Sequence, residues 1–78
     1  MFPVQLSTAM AGVIRSLLSD RGWSGRQLAR ETGINQASVA RKLREDSPFD
    51  LDDLQAIAHA LSVDLTDLIS AAARLLGG

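Results

Sequence analysis

The sequence contains no cysteine, which excludes a disulfide framework and any thiolate metal site. Aromatic residues are also scarce: Phe2, Trp23 and Phe49 are the only ones among 78 residues, so a folded core must be mainly aliphatic. No apolar run approaches the ~20 residues that span a bilayer, and the N-terminus lacks the basic segment that begins a signal peptide. These absences lead us to expect one small cytoplasmic domain, residues 1–78, that depends on well-packed helices for its stability.

The basic side chains are concentrated in one part of the sequence. Residues 15–44 hold seven basic and two acidic residues, a net charge of +5, whereas residues 45–78 hold one basic and seven acidic residues, a net charge of −6. The net charge of the whole chain, −1, therefore says little about its partners. A local basic face is the feature that attracts nucleic acid, although an ordinary solvated surface could carry the same charges.

Apolar residues recur at helical spacing along the sequence, and no segment alternates as a half-buried strand would. Helix stops interrupt the pattern at Gly22, Gly33, Pro48 and the Ser62-Val63 pair. We therefore predict an all-α fold with five helices at about 7–21, 25–32, 36–45, 51–61 and 65–76. Trp23 is expected to pack where the first two helices meet. The buried stripe predicted for the fourth helix consists of Leu51, Leu54, Ile57, Ala58 and Leu61. Apolar stripes at helical spacing also occur in the first helix, at Met10, Val13, Ile14, Leu17 and Leu18, and in the last helix, at Leu65, Leu68, Ile69, Ala72, Leu75 and Leu76.

Residues 24–44 have the pattern of two short helices joined by one tight turn. Ser24 and Gln27 match a capping box at the start of the first of these helices. Gly33 suits the positive φ of a sharp turn, and Asn35 is a strong N-cap for the second helix. The outward positions of that second helix are Gln36, Ala37, Ser38, Ala40, Arg41 and Arg44. This arrangement is typical of a helix-turn-helix that places its second helix in the DNA major groove.

A group of apolar and glycine residues carries a family resemblance: Leu28, Ala29, Gly33, Ile34, Val39 and Leu43. With the downstream segment 49–68, they resemble the Cro/repressor-type (Xre-like) helix-turn-helix domains of bacteria and phages. The likeness extends over about residues 8–69 and implies a lambda-repressor-like bundle of five helices. Its third helix would enter the major groove of double-stranded DNA. Two features depart from the family pattern: Gly25 stands where many members have glutamine, and the segment 43–47 replaces a frequent Glu-Asn-Gly.

The resemblance also implies which side chains face DNA. The base-contacting positions that match the family are Gln36, Ala37, Ala40 and Arg41. The positions expected near phosphates are Ser24, Gly25, Arg26, Arg44 and Ser47. Asn35 would aim the amino end of the third helix at a phosphate, and Lys42 would add salt-dependent phosphate attraction.

The residue types suit these roles. Arg41 can donate to O6 and N7 of guanine, and Gln36 can pair with N6 and N7 of adenine. Ala37 and Ala40 are small enough to let the helix backbone approach the groove floor. The alternative for Arg41 is an intrahelical pair with Glu45, worth ~0.2–0.5 kcal/mol. A good bidentate base contact provides more, ~1–3 kcal/mol of discrimination.

We expect the chain to be a transcriptional regulator that acts as a repressor and binds a two-fold site as a homodimer. The expected interface lies on the last helix, at Ala72, Leu75 and Leu76, unless Leu75 and Leu76 fold back over the first helix. An antitoxin-like or other protein-interaction module, with or without DNA binding, is the alternative function. A third possibility is that the chain is one domain of a larger regulator. Because no nucleophile–base pair, phosphate loop or set of metal ligands is recognisable, we expect no enzyme activity, metal, cofactor or small-molecule ligand.

Overall fold

The computed structural model describes the backbone of residues 2–77 and the side chains of residues 6–77. Its helices are α1 (Phe2–Arg21), α2 (Gly25–Thr32), α3 (Gln36–Leu43), α4 (Leu51–Leu61) and α5 (Leu65–Gly77). This all-α arrangement of five helices confirms the predicted fold class. In the part of the chain that is described, no single helix is long and apolar enough to cross a membrane, and α4 and α5 qualify only as a pair bent by 110°.

Three helix ends differ from the predicted ones. The first helix begins at Phe2 instead of near residue 7, because Pro3 falls in its first turn, where a missing N–H breaks no helical hydrogen bond. The third helix ends at Leu43 instead of near residue 45. Glu45 adopts a left-handed conformation with φ 69°, and the N–H of Asp46 turns back to the Arg41 carbonyl oxygen at 2.9 Å. The last helix reaches Gly77, one residue beyond the prediction.

The core is aliphatic, as the scarcity of aromatic residues requires. Ile14 of α1, Leu28 of α2, Val39 of α3, Ile57 of α4 and Leu68 of α5 are its largest fully buried side chains. One side chain from every helix therefore meets in the centre of the bundle, and burial of such side chains contributes about 1.5–3 kcal/mol each. Trp23 is half-buried and packs against this core, which confirms its predicted place.

Four residues of these apolar stripes are exposed, and the prediction that Leu51 is buried is wrong. Leu51 is 70% exposed, Leu75 66%, Leu76 47% and Ile69 39%. Leu51 is the first residue of α4 and lies at the rim of an apolar groove that Leu6 and Ile69 also line. Leu75 and Leu76 lie in the last turns of α5, so the interpretation that they complete the core is wrong.

The fifth helix packs mainly along α1, and Ala72 has no exposed surface there. The prediction that Ala72 belongs to a dimer interface is therefore wrong, because its side chain is part of the core of one chain. The same packing leaves the other side of α5 outside the bundle. Meanwhile α3 is held between α2 and α1, which leaves its outer face accessible.

Candidate nucleic-acid interface

Local hydrogen bonds fix the start of each helix in the helix-turn-helix. The Ser24 Oγ accepts the N–H of Gln27 at 3.1 Å, which is one half of the expected capping box. Asn35 Oδ1 accepts the N–H groups of Ala37 at 2.8 Å and Ser38 at 3.3 Å. Both caps therefore satisfy amides that would otherwise lack a partner, as their sequence positions predict.

The turn between α2 and α3 is closed by Gly33 and Thr32. Gly33 has φ 77°, and its N–H donates to the Ala29 carbonyl oxygen at 2.9 Å. The Thr32 hydroxyl donates to the Leu28 carbonyl oxygen at 2.8 Å and accepts the N–H of Ile34 at 3.2 Å. The sequence interpretation missed Thr32, although a threonine just before the helix-ending glycine is a local signal for such a bond.

The outer face of α3 presents the predicted base-contacting residues. Gln36, Ala37 and Arg41 are exposed, and Ala40 is half-buried. On the opposite side of the helix, Val39 is 1% exposed and anchors α3 to the core. Gln36, Ala37, Ala40 and Arg41 therefore form a short strip on the outer face of α3, which starts at the amino end of the helix.

The Arg41 guanidinium makes only one weak contact within the described part of the protein. Its Nη2 donates to the Ser38 Oγ at 3.4 Å, a long contact on the exposed surface. The alternative pair of Arg41 with Glu45 does not form: α3 ends before Glu45, and the Glu45 carboxylate pairs with Arg15. The Arg41 guanidinium is therefore available to bind a ligand without breaking a strong contact within the protein.

Several expected phosphate-contacting residues lie around this strip. Ser24, Arg26, Asn35 and Arg44 are exposed, whereas Gly25 and Ser47 are half-buried. Arg44 Nε pairs with Asp46 Oδ2 at 3.2 Å, and side-chain exposures of 64% and 58% make this a weak, solvent-screened pair. Among the described residues, Arg26 has no ion-pair or side-chain hydrogen-bond partner.

Gly25 lies where the start of α2 approaches α3. A Cβ atom at this position would come within 3.3 Å of Leu43 Cδ1 and 3.9 Å of Val39 Cγ1. A larger residue would require Leu43 to move by a few tenths of an ångström, so glycine suits this close contact. Gly25 offers a DNA phosphate only its backbone.

Lys42 is placed differently from the expected phosphate contact. Its ammonium group forms an ion pair with the Asp53 carboxylate of α4. The side chains of Lys42 and Asp53 are 16% and 13% exposed, so the pair lies mostly inside the protein. The structure thus separates Lys42 from the exposed cations of the strip.

Arg15 is a second cation engaged within the protein, although its side chain is 47% exposed, and the sequence interpretation missed it. From α1, its Nη1 donates to the Leu43 carbonyl oxygen at 2.6 Å, and its Nη2 pairs with Glu45 Oε2 at 3.3 Å. The guanidinium therefore satisfies a carbonyl at the end of α3 and holds the left-handed Glu45. A contact between residues thirty positions apart leaves no local sequence pattern.

The described part of the chain also contains an apolar surface away from α3. A groove between α1 and α5 is lined by Gly12, Val13, Ser16, Leu17, Ala71 and Leu75. Within residues 6–77, no three histidine or acidic side chains form a group that could hold a metal ion.

Comparisons with known proteins agree with this geometry. A family model described as the Cro/C1-type HTH DNA-binding domain matches residues 13–73, which include the whole of α2, α3 and α4. A comparison with curated proteins gave no match. The crystal structure of the clp gene regulator ClgR from C. glutamicum is similar, with a TM-score of 0.81 and 24% sequence identity over 92% of this chain and 94% of that chain. At this identity the structural likeness shows a shared fold.

Proposed function

The chain belongs to the Cro/C1-type helix-turn-helix DNA-binding domain family, and we propose that it is a sequence-specific transcriptional regulator that inserts α3 into the DNA major groove. The observation that carries this proposal is the exposed strip of α3. Its N-cap is in place, its core side is buried, and Arg41 is not engaged by an acid. The resemblance to a protein described as a gene regulator supports regulation of transcription as the biological role.

The proposed base contacts come from four residues of the strip. Arg41 would donate two hydrogen bonds to a guanine, and Gln36 would pair with an adenine. Ala37 and Ala40 would allow the helix to approach the bases and would contact a thymine methyl group. All four lie on the first two turns of α3, where a major-groove helix meets base edges.

The proposed phosphate contacts surround these bases. Arg26 and Arg44 supply charge, whereas Ser24, Gly25, Asn35 and Ser47 supply hydrogen-bonding groups near two helix starts and the loop after α3. The amino end of a helix carries partial positive charge and free N–H groups, which favour an anion. Such contacts would fix the register of the protein on DNA without specifying the sequence.

We further propose repression as the mode of regulation, because a domain seated on DNA can obstruct the transcription machinery. This role places the protein in the cytoplasm, with access to the chromosome of a bacterium or to phage DNA. The whole of residues 1–78 would act as one DNA-binding domain.

A salt titration tests the DNA-binding proposal. The affinity of the chain for a duplex should fall linearly on a log–log plot against salt, with a slope of about −0.9 for each phosphate contact. Arg26→Met should reduce that slope by roughly one contact, whereas Arg74→Met removes the same charge from α5 and should leave the slope unchanged. Absence of salt-dependent duplex binding in a folded protein would reject the proposal.

A homodimer is the proposed binding species. Leu75 and Leu76 expose large apolar side chains near the groove between α1 and α5, and exposed apolar patches mark interaction sites. A second copy of the chain would cover this surface and bring a second α3 to a two-fold site. Sedimentation should show a dimer for the natural chain and a monomer for Leu75→Asp/Leu76→Asp. A monomer in both cases, at high concentration, would reject the homodimer.

The same apolar surface favours a second candidate function, an antitoxin-like or other protein-interaction module. In that case α5 would bind a different protein, with or without DNA binding by α3. The two candidates separate in the salt titration and in sedimentation. A chain that is monomeric, folded and without affinity for duplex DNA would favour the second function.

A further inference from the structure

The ion pair between Lys42 and Asp53 joins α3 to α4 on the inner side of the proposed DNA-binding strip. We propose that Lys42 is a positioning residue, which fixes the orientation of α3 through Asp53 and does not neutralise a DNA phosphate. This inference rests on the proposed entry of α3 into the major groove. It assigns opposite roles to two cations that are adjacent in sequence, Arg41 and Lys42.

The burial of the pair argues against a phosphate contact. The side chains of Lys42 and Asp53 are 16% and 13% exposed, whereas Arg41 is exposed. To reach a phosphate, the Lys42 ammonium would have to leave Asp53 and abandon a carboxylate that is mostly shielded from water. Leaving a shielded charge without its partner is strongly unfavourable.

The Asp53 carboxylate is itself held in place. Its Oδ2 accepts the N–H of Asp50 at 3.1 Å, and the N–H of Asp53 donates to Asp50 Oδ1 at 2.7 Å. These two bonds form a capping box at the start of α4. Lys42 is therefore attached to a carboxylate that the N-terminal capping box of α4 holds in place.

The attachment matters because side chains amplify a rotation of their helix. A roll of α3 by about 10° would move a side-chain tip about 6 Å from the helix axis by roughly 1 Å. Hydrogen bonds to bases tolerate only a few tenths of an ångström. Arg15 holds the Leu43 carbonyl from the α1 side, and Lys42 holds α3 from the α4 side. Loss of the Lys42 attachment would therefore misdirect Arg41 and Gln36.

A matched pair of neutral substitutions in the first turn of α4 tests the proposal. Asp53→Asn removes the charge that binds Lys42 but keeps an oxygen that can accept the N–H of Asp50. Asp52→Asn removes the same charge one residue earlier, from an exposed side chain. Four proteins are compared: the natural chain, Asp53→Asn, Asp52→Asn and Lys42→Met. Each is titrated, at several salt concentrations, with the duplex selected by the natural chain and with a scrambled duplex.

A positioning role predicts loss of preference without loss of a phosphate contact. In both Asp53→Asn and Lys42→Met, the ratio of affinities for the two duplexes should fall by roughly tenfold, which is within the range of one lost base contact. The salt slope of Lys42→Met should stay unchanged, and Asp52→Asn should keep the natural preference. A phosphate role predicts a slope smaller by about 0.9 for Lys42→Met and equal weakening on both duplexes. In that case Asp53→Asn, which frees the lysine, would strengthen binding to both. Those results would overturn the proposal.

Hydrogen exchange in the free protein provides a measurement that does not depend on DNA. The backbone amides of Arg44, Glu45 and Asp46 bond back into α3 and report on its end. They should exchange faster in Lys42→Met and Asp53→Asn than in Asp52→Asn and the natural chain. Equal exchange in all four proteins would overturn the positioning role. If the natural chain prefers no duplex, the proposed function fails, whereas the exchange result still decides whether the pair holds α3.

Discussion

The helices α3 and α5 both bury one side in the core, but their exposed sides carry different types of residue. Each buries one side in the core, through Val39 in α3 and Leu68 in α5. The outer side of α3 carries Arg41 with other short or polar residues, whereas the outer side of α5 carries exposed leucines such as Leu75. The buried sides of both helices stabilise the fold. The exposed side of α3 suits DNA, whereas the exposed side of α5 suits another protein.

The basic residues of the chain differ in whether they are available to bind DNA. The sequence assigns a net charge of +5 to residues 15–44, but position in sequence does not make a cation available to DNA. Arg15 and Lys42 pair with acidic side chains and hold α3 against its neighbours, whereas no acidic side chain among the described residues pairs with Arg26 or Arg41. Cations that pair with acids and cations that do not therefore have different structural roles, although both occur in the same segment.

The largest expected effect concerns the buried side of α5. Leu68→Ala should lower the free energy of unfolding by about 2–5 kcal/mol, because Leu68 is fully buried and its truncation leaves a cavity. Leu75→Ala on the exposed side should change it by less than about 0.5 kcal/mol in the monomer. Urea unfolding at low protein concentration measures both. Equal losses of unfolding free energy in the two variants would show that Leu68 and Leu75 contribute equally to the stability of the fold.

A smaller effect is expected on the exposed side of α3. Arg41→Ala should reduce discrimination between the preferred duplex and a variant with one changed guanine by about 1–3 kcal/mol, because the bidentate contact is lost. Arg74→Ala removes the same charge from the exposed side of α5 and should leave discrimination unchanged. Competition binding between the two duplexes measures this difference. If both variants discriminate as the natural chain does, Arg41 does not contact the guanine.

The smallest effect concerns the left-handed residues that follow α3 and precede α5. Glu45 has φ 69° and Ser62 has φ 58°, and glycine adopts this conformation without strain. Ser62→Gly should stabilise the fold by about 0.5–1 kcal/mol. Glu45→Gly should gain less, because it also removes the ion pair with Arg15, worth about 0.2–1 kcal/mol at the surface.

Thermal and urea unfolding of these two glycine variants measures the difference, and the double variant Arg15→Met/Glu45→Gly serves as the control. An equal gain from both single substitutions would show that the Arg15 pair contributes nothing to stability. A larger gain from Glu45→Gly would contradict the role given to Arg15 at the end of α3.

Local signals made much of the fold predictable. The caps at Ser24 and Asn35 and the stop at Gly33 depend on neighbours within four residues, so the bounds of α2 follow from sequence alone. The buried stripe of α4 was also predictable from its spacing. Periodicity does not tell where a helix leaves the bundle, however, and Leu51 was therefore predicted to be buried although it is exposed.

The contacts that position α3 could not be predicted in this way. Arg15 and Glu45 are thirty residues apart, and Lys42 and Asp53 lie on different helices. Their meeting depends on how α1, α3 and α4 pack, which no short pattern contains. From sequence alone, Lys42 is therefore predicted to bind phosphate, because only its charge and its position next to Arg41 are known.

Selection of preferred sites from a random duplex pool measures whether the exposed strip of α3 recognises DNA sequence. The natural chain should enrich a consensus with two-fold symmetry and half-sites about 10 base pairs apart. Arg41→Ala should lose enrichment at one guanine position in each half-site and keep the rest. A pool that stays random with the natural chain, or an identical consensus with Arg41→Ala, would contradict the account.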